Sequence, residues 1–403
     1  MKLIAGLLLL GTLGDASAQA WKTLPKGVRI LGYRNVTTST ISSNFNRFGA
    51  DSPLGTQFRV DAGSFNDRAG NVVTPGADVD ANAYNALVVG EYKVDASAQV
   101  NAQGTGFGIG LSDRVMFFAS VAYYKAVVKT DLKRTKGNTY EETANILRAS
   151  GGTQNDVIAE NLRHMIDVNE RTIQSVITNH YGYKPLGDWY GSGYGDLETG
   201  LMIKAADEGE TGLMFYPGVV LPTGYQDDPD ILQDIAFGDG QFDFFGELAT
   251  GYLYNDHLMF GTSFRYTYQA PTTKRLRVPH ERDFTLSETS ERMSVKYGDK
   301  LDWMLNTTFS FNDWISVTPI YRFMYQMPSK YGSTDLKANE YLAYNSDKLE
   351  HQVQLTTSFS SIAPFLKKNF ILPAQININL VKTVAGKNVA NAGRFEVEFR
   401  MLF

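Results

Sequence analysis

The last eleven residues, Gly393-Arg394-Phe395-Glu396-Val397-Glu398-Phe399-Arg400-Met401-Leu402-Phe403, constrain the fold more than any other stretch. From Phe395 the odd positions read Phe, Val, Phe, Met, Phe. The even positions, from Arg394, read Arg, Glu, Glu, Arg, Leu. Successive side chains of a β-strand point to opposite faces, so one face is apolar and the other carries Arg394, Glu396, Glu398 and Arg400. A soluble sandwich would bury the apolar face in a core. A transmembrane barrel would turn it to lipid and give the charged face a wet interior.

An alternating strand closing on an aromatic resembles the C-terminal assembly signal of bacterial outer-membrane barrels. That resemblance makes Phe399 and Phe403 candidate signal residues and the barrel-assembly machinery a partner. The other end agrees with export. Met1 to Ala20 reads as a secretory signal, with Lys2 as a short basic region and Leu3 to Leu13 as an apolar run. Ala16-Ser17-Ala18 and Ala18-Gln19-Ala20 are both small-x-small cleavage sites, so the mature chain is expected to start at Gln19 or Trp21. The apolar run is shorter than the roughly 20 residues a spanning helix needs. A mean hydropathy of −0.24 suits a barrel, because only alternate strand residues face lipid. The 22 Tyr and 24 Phe suit aromatic girdles at two membrane interfaces. The chain has no Cys, which excludes disulfide and thiolate chemistry. A net charge of −5 gives no case for nucleic acid.

A first strand is expected near 28–40 and a polar loop over 42–82. Residues 83–94 fit a helix face and a strand face equally well. From Ser97 the pattern is clearer. Residues 97–111 and 115–128 flank Ser112-Asp113-Arg114. Pairs 194–206/210–222, 240–254/257–270 and 298–311/314–327 flank short links rich in Asn, Asp or Gly, as tight hairpins prefer. Longer polar segments separate these pairs, and the last strands are 347–361, 370–385 and 393–403. Short turns thus alternate with long loops, the outer-membrane plan of periplasmic turns and extracellular loops. Counting back from Phe403 puts every short turn on one side. We expect an all-β, antiparallel transmembrane barrel of about twelve strands, or 14 if residues 42–95 add two. Residues 21–403 form one domain in this reading. Its extracellular insertion, 129–193, carries a helix or helix pair with an apolar stripe: Ile158, Leu162, Ile166, Ile173, Val176 and Ile177.

Several stretches carry a wider resemblance: Gly193-Tyr194-Gly195-Asp196-Leu197, Leu221-Pro222-Thr223-Gly224 with Asp227-Asp228-Pro229-Asp230, and Phe237-Gly238-Asp239-Gly240-Gln241-Phe242-Asp243. Arg265-Tyr266-Thr267-Tyr268 and Ala385-Gly386-Lys387-Asn388 follow. In this order they resemble the outer-membrane family named for the meta-pathway of phenol degradation, distantly related to FadL-type transporters. The resemblance implies a barrel admitting small hydrophobic molecules, and no enzyme. It also implies a role for the apolar stripe: a landing surface that caps the pore, docked on the barrel mouth, another loop or lipopolysaccharide. The Asn-Pro-Ala-type hatch motif of FadL-type barrels is missing.

Candidate chemistry is sparse. His164, His180, His257, His280 and His351 have no nucleophile at a useful spacing, and no cofactor is expected. Asp227, Asp228 and Asp230 form a Ca²⁺ candidate without EF-hand spacing; the plainer reading is a hydrated acidic loop. Pro217-Gly218 interrupts a strand. Pro donates no ladder hydrogen bond, so the pair marks either a bulge that adjusts curvature or a lateral gap for cargo. The charged face of the last strand is either a satisfied lining or a polar gate. The function expected is an outer-membrane channel for small hydrophobic or aromatic compounds. A general diffusion porin and a structural or adhesive barrel are the alternatives.

Overall fold

A computed structural model describes residues 21–61, 80–282 and 286–403. The expected signal segment, residues 1–20, lies outside the described residues, as does Asp283 beside His280.

Twelve antiparallel strands close on themselves. In chain order they are β1 (Arg29–Thr38), β2 (Val88–Ser112), β3 (Val115–Lys136), β4 (Leu197–Asp207), β5 (Thr211–Leu221), β6 (Asp243–Asn255), β7 (Leu258–Gln269), β8 (Lys300–Ser310), β9 (Ile315–Gln326), β10 (Lys348–Ser360), β11 (Ala374–Lys387) and β12 (Gly393–Leu402). Each pairs with its neighbours in sequence, and β12 returns to β1 with Tyr33 opposite Phe399 and Arg34 opposite Glu398. Closure leaves no free edge, which is what a sheet in lipid requires. Two further strands bring the sheet to 14. They are Thr56–Asp61, paired with β2, and Trp189–Tyr194, paired with β3; neither enters the closed ring.

Alternation decides the faces. On β11, Gln375, Asn377, Asn379 and Thr383 are buried inside while Ile376, Leu380 and Val384 are exposed. Around β6 to β8, Leu248, Phe260, Phe264 and Leu305 face out, bracketed by Tyr266 and Tyr268 near one rim and Tyr252 and Tyr254 near the other. Such an apolar band between aromatic girdles belongs in a bilayer. The links after β2, β4, β6, β8 and β10 share one end with Arg29 and Phe403, the end the outer-membrane plan places in the periplasm.

The undecided segment 83–94 is both things in turn: a helix, Ala81–Ala86, then the start of β2 at Val88. The expected insertion is shorter than its sequence bounds, because β3 runs on to Lys136 and strand returns at Trp189.

The described residues divide into two compact units: those within 21–54, 97–128 and 189–403 in one, those within 55–96 and 129–188 in the other. The second holds helices α1 (Tyr140–Ser150), α2 (Thr153–Arg163) and α3 (Glu170–Ser175), which continues into a π-turn, Val176–His180. Its core joins Leu87 and Val89 to Tyr140, Ala144, Leu147, Ala159 and Leu162. Arg134 forks onto Asp167 at 2.6 and 2.7 Å, and that pairing holds the Asp167 carboxyl below the usual carboxylate range.

Candidate functional site in the barrel interior

The interior has two unlike halves. From β9 round to β1 most inward residues are polar and bonded to one another, with Val36, Ile320 and Val381 the apolar ones among them. Arg34 donates to Glu398 at 3.2 Å; Arg400 grips the same carboxylate at 2.7 and 3.0 Å; Asn377 donates to it at 3.1 Å. Arg394 reaches Glu396 at 3.1 Å and Gln352 at 3.3 Å. Buried charges are tolerable only when paired and hydrogen-bonded, and each carboxylate here has several donors. In this geometry the charges of that face are bonded to one another.

Toward the periplasmic end the interior from β3 to β7 is apolar and rich in methionine, while Glu198, Glu247 and Arg265 line the same half beyond that layer. Met116, Phe118, Met202, Met214, Tyr216, Phe245 and Met259 form a buried cluster together with Trp21. The segment leading into β1 therefore lies inside the periplasmic end. Trp21 packs where Gly212 and Gly251 leave room: a Cβ on either would come within 2.1 and 2.5 Å of its ring. Gly27 N–H donates to Gly110 O at 2.8 Å, fixing the same segment to β2. No motif in the sequence marked this segment as packing inside the barrel.

At the opposite end the loop after β5 folds inward. Ile235 and Phe237 are buried, and Phe237 stacks on Tyr124 with ring centroids 5.2 Å apart. Asp196 ties this loop down. Its two oxygens accept the backbone N–H groups of Gly224 at 2.8 Å and Asp239 at 3.1 Å, and a Cβ on Gly238 would come within 2.4 Å of it. Burial pushes the Asp196 carboxyl above the usual carboxylate range. Three of the stretches that carry the family resemblance thus meet at one point. Asp196 went unrecognised as a positioning residue because its partners are backbone groups.

Between this loop and the methionine layer lies a cavity of about 670 Å³. Its apolar wall includes Tyr124, Phe237, Met304 and Met324. Its charges are largely matched. Arg265 forks onto Glu198 at 2.9 and 3.2 Å and lies 3.6 Å over the Phe245 ring; Arg322 holds Asp302 at 2.9 Å; Lys300 meets Asp243 at 3.3 Å. Lys348 also lines the cavity, and among the described residues it has no ion pair or hydrogen bond. None of the buried members of the methionine cluster reaches the cavity surface.

The other sequence candidates fall as follows. Pro217 sits opposite Gly246 of β6. On its β4 side the ladder has bridges at Gly200–Gly218 and Ile203–Phe215 and none between them, with register kept. Gly200 and Gly218 are thus neighbours in the wall: a Cβ on Gly218 would meet the Phe245 ring at 2.2 Å, and one on Gly200 would meet Pro217 O at 2.5 Å and the Phe118 ring at 3.1 Å. The apolar stripe is not one face. Ile158 and Leu162 pack in the core of the second unit, and Ile177 is buried in the π-turn. Ile166 is 84% exposed in the link between α2 and α3. The break comes from Asn169, whose side chain caps a new helix by accepting from Arg171 and Thr172 N–H. Phe399 and Phe403 face outward. Asp230 is held by Arg275 and Arg277 at 2.6 Å each, and Asp227 lies 3.9 Å from Lys274. Among the described residues no group of His, Asp or Glu is arranged to hold a metal. His351 bonds Tyr321 at 2.7 Å on the outer face, His257 bonds Ser310 O at 2.7 Å, and His164 lies 3.2 Å from Glu160.

No family model matches the chain, and no curated protein matches its sequence. Among solved structures it is similar to an outer-membrane channel of Pseudomonas putida F1, with a TM-score of 0.55 and 11% identity, covering 96% of this chain and 100% of that one. A looser likeness, to the toluene transporter TbuX of Ralstonia pickettii, has a TM-score of 0.34 and 10% identity over 94% of this chain and 90% of that one; it carries no weight. Fold and lipid-facing belt together define a bacterial outer-membrane β-barrel, as expected from the terminal strand.

Proposed function

We propose that this barrel admits small hydrophobic or aromatic compounds across the outer membrane by diffusion, and that it is a channel rather than an enzyme. The observation that carries the reading is the division of the interior: a cavity of about 670 Å³ with an aromatic wall, above a layer of Met and Trp side chains. The volume falls in the range of roughly 300–1,000 Å³ typical of sites for small ligands. A wide aqueous porin keeps an open lumen instead. Pro217 and Gly218 are our candidate exit, between β4 and β5. Support comes from the interrupted ladder and from two glycines that thin the wall to backbone, with the Phe118 and Phe245 rings beside them. Exposed apolar residues of the second unit, Ile166 and Val176, are the candidate landing surface.

Two measurements test this. Bilayers with the purified barrel should show small conductance and no sugar-driven liposome swelling, while the detergent-solubilised protein binds an aromatic hydrocarbon such as toluene. Large steady conductance with sugar permeation would replace the reading with a general porin. For the exit, Thr199 and Val219 are direct cross-strand partners, within reach of a disulfide. Thr199→Cys with Val219→Cys should slow toluene uptake when oxidised and restore it when reduced. Uptake indifferent to oxidation removes the lateral route.

A further inference from the structure

The link between β10 and β11, residues 361–373, is the longest at the periplasmic end. It is folded. A short helix, Ile362–Leu366, is closed by Phe365 N–H donating to Ser361 O at 2.9 Å, and Asn369 N–H returns to Pro364 O at 2.8 Å. Phe370 meets Trp314 of the adjacent turn edge-on, with ring centroids 5.1 Å apart, and Lys367 pairs with Asp313 at 2.5 Å. Two neighbouring turns are thereby joined into one ordered surface.

That surface is apolar and uncovered. Ile371 is 91% exposed and Leu366 74%; Phe311, Trp314, Phe370 and Leu372 are exposed with them. Scattered exposed apolar residues need no explanation, but a contiguous group does. It is also continuous with a surface whose occupant is lipid. Phe359 is paired with Ile315 and Ile376, and Phe359 and Ile376 belong to the outward belt just above the turn. At its edge stand Lys367 and Lys368, the latter with no ion pair among the described residues. Apolar side chains next to lysines make an interfacial segment, which lies in a membrane surface with its cations at the phosphates.

We propose that the 361–373 turn is seated in the periplasmic leaflet. Leu366, Phe370 and Ile371 lie among the acyl chains, and Lys367 and Lys368 meet phospholipid phosphates. The turn anchors the barrel in depth on its β9–β11 side.

The chain has no Cys, so single spin labels report directly. Ile371→Cys is labelled in vesicles of phosphatidylethanolamine and phosphatidylglycerol. Phe359→Cys serves as the lipid-facing reference and Asp256→Cys, in the turn after β6, as the water reference. The label at 371 should collide with oxygen and be shielded from a water-soluble nickel chelate, as at 359. Collision with nickel at the level of 256 would put the turn in water and overturn the proposal. Shielding from both reagents would mean a second copy covers the face, and would overturn it too. Leu366→Cys repeats the measurement if the first variant fails to insert. The double change Lys367→Gln, Lys368→Gln should make the depth at 371 indifferent to phosphatidylglycerol; an unchanged lipid dependence refutes the phosphate contact.

Discussion

Removing the indole of Trp21 should open the periplasmic end of the barrel. Trp21 is 1% exposed, and its ring fills a socket made by the missing side chains of Gly212 and Gly251. Truncating a buried aromatic to Ala costs about 3–5 kcal/mol. Trp21→Ala should therefore lower the unfolding free energy in detergent by that amount and release a segment held mainly by Gly27 N–H on Gly110 O and Thr23 Oγ1 on Asp113 O, each at 2.8 Å. Bilayer conductance should rise. Trp21→Phe separates filling from chemistry. The indole Nε1 is buried without a hydrogen-bond partner among the described residues, an unmet donor worth about 1–3 kcal/mol. Phe loses some contact but removes that donor, so stability should change little and the end should stay closed. Gly212→Ala is the complementary test, because its Cβ would come within 2.1 Å of the ring and must displace it. It should raise conductance with Trp21 still present. If Trp21→Ala lowers stability while neither it nor Gly212→Ala raises conductance, Trp21 is packing and no plug.

Deleting Phe403, which exchanges backbone hydrogen bonds with Arg29 at 2.9 and 3.0 Å, should lower the amount of barrel in the membrane and leave activity per folded molecule unchanged; normal insertion would contradict the assembly role. Asp196 has a folded pKa raised by burial, so its contribution to stability is largest at acid pH and is lost as pH rises through that value. Amide exchange in residues 222–239 should therefore slow as pH falls into the carboxylate range, after correction for intrinsic rates, and Asp196→Ala should abolish the trend. In the second unit, Leu162→Ala should cost about 2–5 kcal/mol, whereas Ile166→Ser at an exposed site should stay within about 0.5 kcal/mol. Slower toluene uptake by Ile166→Ser supports the landing surface, and unchanged uptake reduces the stripe to packing.

The wall of the barrel was legible because lipid outside and a polar interior impose the same two-residue period on every strand. Gln375, Asn377 and Asn379 alternate with Ile376, Ile378 and Leu380 as plainly in the sequence as in the fold. Legibility failed where two elements share one pattern. Residues 83–94 satisfy a helix and a strand because a helix ends at Ala86 and a strand begins at Val88. The stripe from Ile158 to Ile177 kept helical spacing across a break, although Asn169 three positions before Thr172 was a readable start signal. Trp21 had no periodic context at all. Its socket is two absent side chains on strands far along the chain, and a glycine pair announces nothing until the strands are in register.

The charged face of β12 left lining and gate undecided, and magnitudes separate them. Parting Arg34 or Arg400 from Glu398 would strand a buried charge, at a cost of about 3–5 kcal/mol for a buried pair. Several such pairs stand side by side, so a cargo crossing this half would have to break more than one. On the other half the obstacles are Met116, Met202, Met214 and Met259 with Phe118 and Phe245. Methionine is unbranched and repacks by rotation, and contact with an apolar ligand replaces what moving it loses. A polar solute gains nothing there and loses hydration. Under the proposed function the barrel resists both classes where it is ion-paired, the Arg265–Glu198 pair beside Phe245 included, and yields to apolar ones at the sulfur-rich layer. The side that holds this layer contains both the glycine-thinned wall at Gly200 and Gly218 and the Trp21 socket. Under the proposed function, selectivity for hydrophobic cargo would follow from which layer of the interior can move.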